Sequence, residues 1–106
     1  PVRIPPALDA FQSYFAEVAT ERGYAGESLR DCLLLALEEM GELAHAIRKQ
    51  EKMVRDHADR SHEVEHEIAD VVLYLVHLAN IAGIDLKQAL IDKEVMNRER
   101  FLGKNR

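Results

Sequence analysis

A chain of 106 residues and 12.1 kDa has room for one domain and little more. Its 47% hydrophobic and 31% charged content argues against disorder, and nineteen acids against fourteen bases, a formal charge of −5, argue against polymeric nucleic acid as a partner. The single cysteine, Cys32, excludes an internal disulfide and a CxxC metal site, and no apolar run reaches the roughly 18 residues of a membrane span.

The opening PVRIPPALDAF lacks the apolar core of a secretion signal, so a cytoplasmic protein without a membrane partner is expected. All three prolines, Pro1, Pro5 and Pro6, lie in that stretch, and beyond them only five glycines interrupt helix. Leu8, Phe11, Phe15 and Val18 recur at helical spacing and predict a first helix over 7–22, closed by Gly23. Ser28 with Asp31 is a helix-start signal, and the second helix is expected from residue 29 to at least 49, with Ala36, Met40, Leu43 and Ile47 as its apolar stripe. The polar stretch QEKMVRDHADR, residues 50–60, is the expected connection. Asp59 or Ser61 can cap a third helix over 61–82, with Ile68, Val72, Leu75, Ala79 and Ala82 as its buried seam and Gly83 as its end. Asp85 with Gln88 starts a fourth helix that reaches about residue 102, before Gly103.

No strand-like alternation and no repeat of 20–50 residues interrupts this pattern. The expected fold is all-α: one domain over 1–106, built as a four-helix bundle-like protomer. The run CLLLAL, Cys32 to Leu37, is apolar nearly all round and wants neighbours on more than one side. Self-association through the second helix is therefore expected.

Acids interrupt these apolar helices. The second helix carries Glu38, Glu39 and Glu42, and the third carries Glu67 and Asp70. Glu39 and Glu42 are three residues apart, as are Glu67 and Asp70, so each pair shares a helix face. No Lys or Arg lies between Cys32 and Ala46, or between Ser61 and Ile84, so local ion pairing is poor. Desolvated carboxylates must be protonated, paired or bound to metal. Four hard oxygen ligands, Glu39, Glu42, Glu67 and Asp70, suit Mg²⁺ or Mn²⁺ far better than zinc. The plainer reading is a solvated acidic helix face. Tyr74 and His77 continue the acidic stripe of the third helix and are candidate pocket residues, though packing with one hydrogen bond is the commoner fate of such side chains.

Glu38-Glu39-x-x-Glu42, then 24 residues, then Glu67-x-x-Asp70 resembles the EExxE…ExxD signature of the MazG-like all-α nucleoside triphosphate pyrophosphohydrolases. The likeness continues through Tyr74 to Phe101, with a GIDL break and a helix bearing Lys93, Asn97 and Arg100. The resemblance implies Mg²⁺-dependent cleavage of a nucleoside triphosphate between its α- and β-phosphates, in nucleotide-pool housecleaning. It implies metal ligation by Glu39, Glu42, Glu67 and Asp70, and catalytic roles for Glu38 and Glu39, one of which orients or deprotonates the attacking water. Lys93 and Arg100 are implied for the phosphates and Asn97 for sugar or phosphate. Their alternative is an ordinary solvated helix end. The family further implies a homo-dimer or homo-tetramer, with the first helix helping to form a base pocket and Phe11, Gln12 and Phe15 as candidate contacts, although core packing is the commoner role for the two phenylalanines.

Three other signals compete. His62-Glu63-x-x-His66 is a literal HExxH zinc motif, but no strand-bearing scaffold or third ligand accompanies it. Glu42-x-x-His45 and Glu63-x-x-His66, joined by Glu17 and Glu94, could build a carboxylate-bridged di-iron site on the same fold. A non-enzymatic acidic helical module that dimerises through the second helix would use the same glutamates as surface charge.

Overall fold

The computed structural model describes residues 7–52 and 63–104, which hold helices α1 (Leu8–Arg22), α2 (Leu29–Lys52), α3 (Val64–Ala82) and α4 (Leu86–Lys104) and no strand, with a turn between α1 and α2 and another between α3 and α4. Local chemistry sets most of the helix ends. Gly23 (φ 84°) and Gly83 (φ 70°) close α1 and α3 in the left-handed region, where a Cβ costs roughly 1–2 kcal/mol. After each glycine the next amide reaches back into the helix, Tyr24 to the Ala19 carbonyl at 3.0 Å and Ile84 to the Ala79 carbonyl at 2.9 Å.

Ser28 Oγ accepts from the Asp31 amide at 3.1 Å, and Asp85 Oδ1 accepts from the Gln88 amide at 3.1 Å, so both expected start signals operate. The second is only half a capping box, because the Gln88 side chain donates forward to Asp92 at 2.9 Å instead of back. Glu63 stands at the N-cap of α3 without a side-chain cap bond. The alternative caps Asp59 and Ser61, like His62 of the HExxH motif, lie outside the described residues. Gly103 does not end α4, which continues to Lys104.

Three cross-links fix how α2 and α3 pair. Glu27, just before α2, bonds His77; Cys32 lies 3.8 Å from the Tyr74 carbonyl oxygen; and Glu39 meets Glu67 and Asp70. Rising numbers on one helix meet falling numbers on the other, so the pair is antiparallel. The α2 side of the seam is Cys32, Ala36, Glu39, Leu43 and Ala46, each buried or half-buried, at alternating four- and three-residue steps. The α3 side is Glu67, Asp70, Tyr74 and His77, at the same kind of spacing. The expected stripes are therefore rotated by one residue. Met40, Ile47, Ile68, Val72 and Leu75 are 43–48% exposed, and Ala82 is exposed as well. Ala36, Leu43 and Ala79 stay inside as expected. Acids and small residues occupy the seam because a group of carboxylates can share a site only where two helices meet, and the alanines let the backbones approach.

α1 lies across α3 and buries Phe15 and Val18 against Val76, with Phe11, Tyr14, Leu73 and Leu86 packed around them. Gln12 ties this layer to the turn before α4. Its Nε2 donates to the Ile84 carbonyl at 2.7 Å, and its Oε1 accepts from the Leu86 amide at 2.9 Å. Asn80 Nδ2 in turn donates to the Gln12 carbonyl at 3.1 Å. Replacing Gln12 by leucine would leave the part-buried Ile84 carbonyl and Leu86 amide without this partner, at about 1–2 kcal/mol each. Gln12→Leu is thus expected to lower the unfolding free energy by roughly 2–4 kcal/mol in urea titrations, with no loss in the cavity described below.

α4 departs from the bundle-like expectation. It leaves α3 at 101° and packs on α1 rather than on the α2–α3 pair. Every residue from Lys87 to Gly103 is exposed. The radius of gyration is 17.1 Å, against about 13 Å for a compact domain of this length. No single described helix is long and apolar enough to cross a membrane.

A carboxylate triad beside an aromatic cavity

The antiparallel pairing carries Glu39 of α2 to the level of Glu67 and Asp70 of α3. One carboxylate oxygen from each lies within 4.8 Å of the other two. Glu67 is 6% exposed and Glu39 half-buried. Burial, and then the charges of Asp70, Glu67, Glu42 and Glu38 in that order, hold the Glu39 carboxyl above the usual carboxylate range. Converging anionic oxygens at this spacing suit a hard divalent cation, which is the partner that removes the repulsion.

Glu42 and Glu38 are felt by Glu39 as charges, but neither is in the group whose oxygens converge. Of the four expected ligands, the fold therefore brings three together and places Glu42 one turn along α2. The di-iron arrangement is not assembled: none of Glu42, His45, Glu63 and His66 belongs to either convergent group of metal-ligating side chains among the described residues. Glu63 and His66 face each other at 3.8 Å on exposed surface, and Glu17 and Glu94 are exposed too.

A cavity of about 230 Å³ opens beside Asp70, between α1, the following turn and α3. Phe15, Tyr24, Tyr74 and Leu73 supply its apolar and aromatic walls. Glu27, His77 and Arg22 supply its polar ones. Phe15 packs in the core and also lines the wall, whereas Phe11 packs against that core and Gln12 serves the turn before α4. Tyr74 and His77 reach the cavity as the acidic stripe suggested. Burial, and then Glu39, Glu27, Cys32 and Tyr24, push the Tyr74 phenol above its usual value, so this side chain stands between the triad and the far wall.

At the far wall His77 Nε2 donates to Glu27 Oε1 at 2.9 Å, and Tyr24 meets the imidazole edge-on with centroids 5.1 Å apart. Arg22, Tyr24 and Glu27 carried no sequence motif. Arg22 reaches the cavity from the last turn of α1, and Tyr24 and Glu27 from the turn that follows the left-handed cap at Gly23. Lys93, Asn97 and Arg100 do not line it and are fully exposed along α4.

Two antiparallel helices thus gather three carboxylates beside an aromatic cavity in an all-α domain. Residues 27–98 match the MazG nucleotide pyrophosphohydrolase domain model, and the chain belongs to that family. It is 35% identical over 101 residues to dCTP pyrophosphatase 1 of Mus musculus and 32% identical over 101 residues to that of Homo sapiens. Each alignment takes in 91% of this chain and 59% of the relative, so the chain spans about three-fifths of these curated relatives. Two crystal structures of iMazG from Vibrio DAT 722 are similar. One has a TM-score of 0.67 and 33% identity over 87% of this chain and 98% of that one. The other has 0.68 and 32% over 89% and 96%.

Proposed function

We propose that this protein hydrolyses a nucleoside triphosphate, most simply a deoxynucleotide such as dCTP or dUTP, to the monophosphate and pyrophosphate, as part of nucleotide-pool housecleaning. The observation that carries the reading is the convergence of Glu39, Glu67 and Asp70 beside the cavity, in a domain of this family. The cavity is smaller than the roughly 300–1,000 Å³ that encloses a whole drug-sized ligand. It has room for the planar base between Phe15, Tyr24 and Tyr74, with the phosphates directed towards Asp70 and its partners.

Mg²⁺, or Mn²⁺ in its place, held by Glu39, Glu67 and Asp70, with Glu42 close by, would neutralise the triphosphate and the charge that develops on the leaving pyrophosphate. Glu38 or Glu39 orients a water and accepts its proton as the oxygen adds to the α-phosphorus. The bond from that phosphorus to the α–β bridging oxygen breaks, and pyrophosphate departs with the electron pair. Arg22 supplies a cation at the cavity wall. Lys93, Asn97 and Arg100 share one face of α4 and act on phosphate and sugar. Because α4 stands off its own α2–α3 pair, they serve the site of a second copy in a homo-dimer or homo-tetramer.

Incubation with a panel of nucleoside triphosphates and Mg²⁺, with the products resolved, tests this. Monophosphate with pyrophosphate is expected from at least one deoxynucleotide. Diphosphate with orthophosphate would place the cut elsewhere, and no turnover of any nucleotide would favour the non-enzymatic module.

A further inference from the structure

The far wall holds a second group of metal-ligating side chains, chemically unlike the first. Glu27, Cys32 and His77 present a carboxylate oxygen, a sulfur and a ring nitrogen that lie within 4.8 Å of one another. They come from three places in the fold: the turn before α2, the first turns of α2, and the C-terminal half of α3. Cys32 is 0% exposed, and the His77 side chain is 3% exposed.

The hydrogen bonding here is incomplete. A carboxylate only accepts, so the bond to Glu27 puts the hydrogen on His77 Nε2. The other ring nitrogen, Nδ1, is buried and has no hydrogen-bond partner among the described residues. The thiol's own interaction, 3.8 Å to the Tyr74 carbonyl, is long and weak.

We propose that Glu27, Cys32 and His77 form a site for a thiophilic divalent transition metal, Zn²⁺ foremost, separate from the carboxylate triad. Sulfur, imidazole and carboxylate are the donors Zn²⁺ takes, at about 2.0–2.3 Å each, and three protein ligands leave one position open. A metal shared with Glu27 would take His77 Nε2, the ring nitrogen that faces that carboxylate, in place of its hydrogen, and the widest pair of donors would close by on the order of 1 Å, within the reach of side-chain rotation. A thiolate and a carboxylate together cancel the ion's charge, so a buried site stays neutral. Mg²⁺ does not compete, because it prefers oxygen donors in an octahedral shell.

Co²⁺ is the probe, since a cobalt–thiolate bond gives a charge-transfer band and Cys32 is the only thiol in the chain. Titration of metal-free protein in excess Mg²⁺ is expected to give that band, saturating at one Co²⁺ per chain and displaced by Zn²⁺. Cys32→Ser should abolish it. His77→Gln should weaken Co²⁺ by more than the roughly ten- to hundredfold that even an outer-shell partner is worth. Glu39→Gln should leave the band unchanged, which separates this site from the triad. If Cys32→Ser fails to fold, alkylation of Cys32 in the wild type supplies the same test: Co²⁺ or Zn²⁺ must protect the thiol. No band, or no protection, overturns the proposal. So does a band that Mg²⁺ removes or that Glu39→Gln abolishes.

Discussion

Glu39→Gln is expected to produce two effects of opposite sign. Turnover should fall at least about a hundredfold, because a ligated metal stabilises transition-state charge by several kcal/mol. The metal-free protein should nevertheless become more stable near neutral pH. The sign follows from linkage. Burial first, and then Asp70, Glu67, Glu42 and Glu38, raise the Glu39 carboxyl above its ordinary value of 4.5. The folded state therefore binds that proton more tightly than the unfolded chain does. The stability this confers is complete below the ordinary value and is lost as pH rises through the raised one. Above that window the ionised Glu39 only repels its neighbours, and glutamine relieves the repulsion. In chelator, wild type should lose stability relative to Glu39→Gln as pH is raised from about 4 towards neutral. Saturating Mg²⁺ should reverse the order. Wild type gains about 2.7 kcal/mol at a hundred times its Kd, and the variant gains little. Urea denaturation with and without chelator reads all of this. A variant less stable than wild type in chelator at neutral pH would make Glu39 a packing residue and remove it from the metal site.

The acids were legible in the sequence because their surroundings make them costly. Carboxylates inside an aliphatic run, with no base close by in sequence, have few stable fates, and helical spacing puts Glu39 with Glu42 and Glu67 with Asp70 on shared faces, while bringing the two pairs together took an assumed antiparallel pairing and the family resemblance. The helix ends at Gly23, Ser28, Gly83 and Asp85 were legible because each is decided by one or two local bonds. The orientation of α2 and α3 was not. A stripe chosen for hydrophobicity selects Met40, Ile68 and Val72, whereas the seam runs through Cys32, Glu39, Glu67 and His77. Where a functional group sits between two helices, the most apolar face is not the one they share. Glu42 fell outside the convergent group for the same reason, since a shared face fixes direction but not height. The pairing of Glu27 with His77 joins residues fifty positions apart across a turn, and no local pattern encodes it. The place of α4 was equally hidden, because the angle at Gly83 depends on Gln12, far away in sequence.

Leu37→Glu combined with Val72→Glu is expected to break the oligomer and, at low protein concentration, the fold with it. α2 and α3 are antiparallel, so a step of one residue from their seam turns both helices towards the same side. That side carries Leu33, Leu37, Met40 and Ile47 from α2 and Ile68 and Leu75 from α3, with Val72 adjoining the last two at two residues from the seam, each 43–56% exposed. Together they make one apolar face on a protomer whose radius of gyration, 17.1 Å, already exceeds that of a closed domain. Covering a leucine or valine is worth about 1.5–3 kcal/mol, and a two-fold interface counts each position twice. Two buried charges per copy should therefore weaken association by at least about a thousandfold. Sedimentation should show wild type as a dimer or tetramer whose Tm rises with concentration, and the double variant as a monomer whose Tm does not. Ser13→Glu, at an exposed position on α1, should change neither. The outcome also bears on catalysis. If Lys93, Asn97 and Arg100 act on the triphosphate held by another copy, a folded monomer keeps the triad and loses turnover. A monomer that still hydrolyses nucleotide at the wild-type rate would take the α4 bases out of the reaction and leave Arg22 as the cation at the cavity.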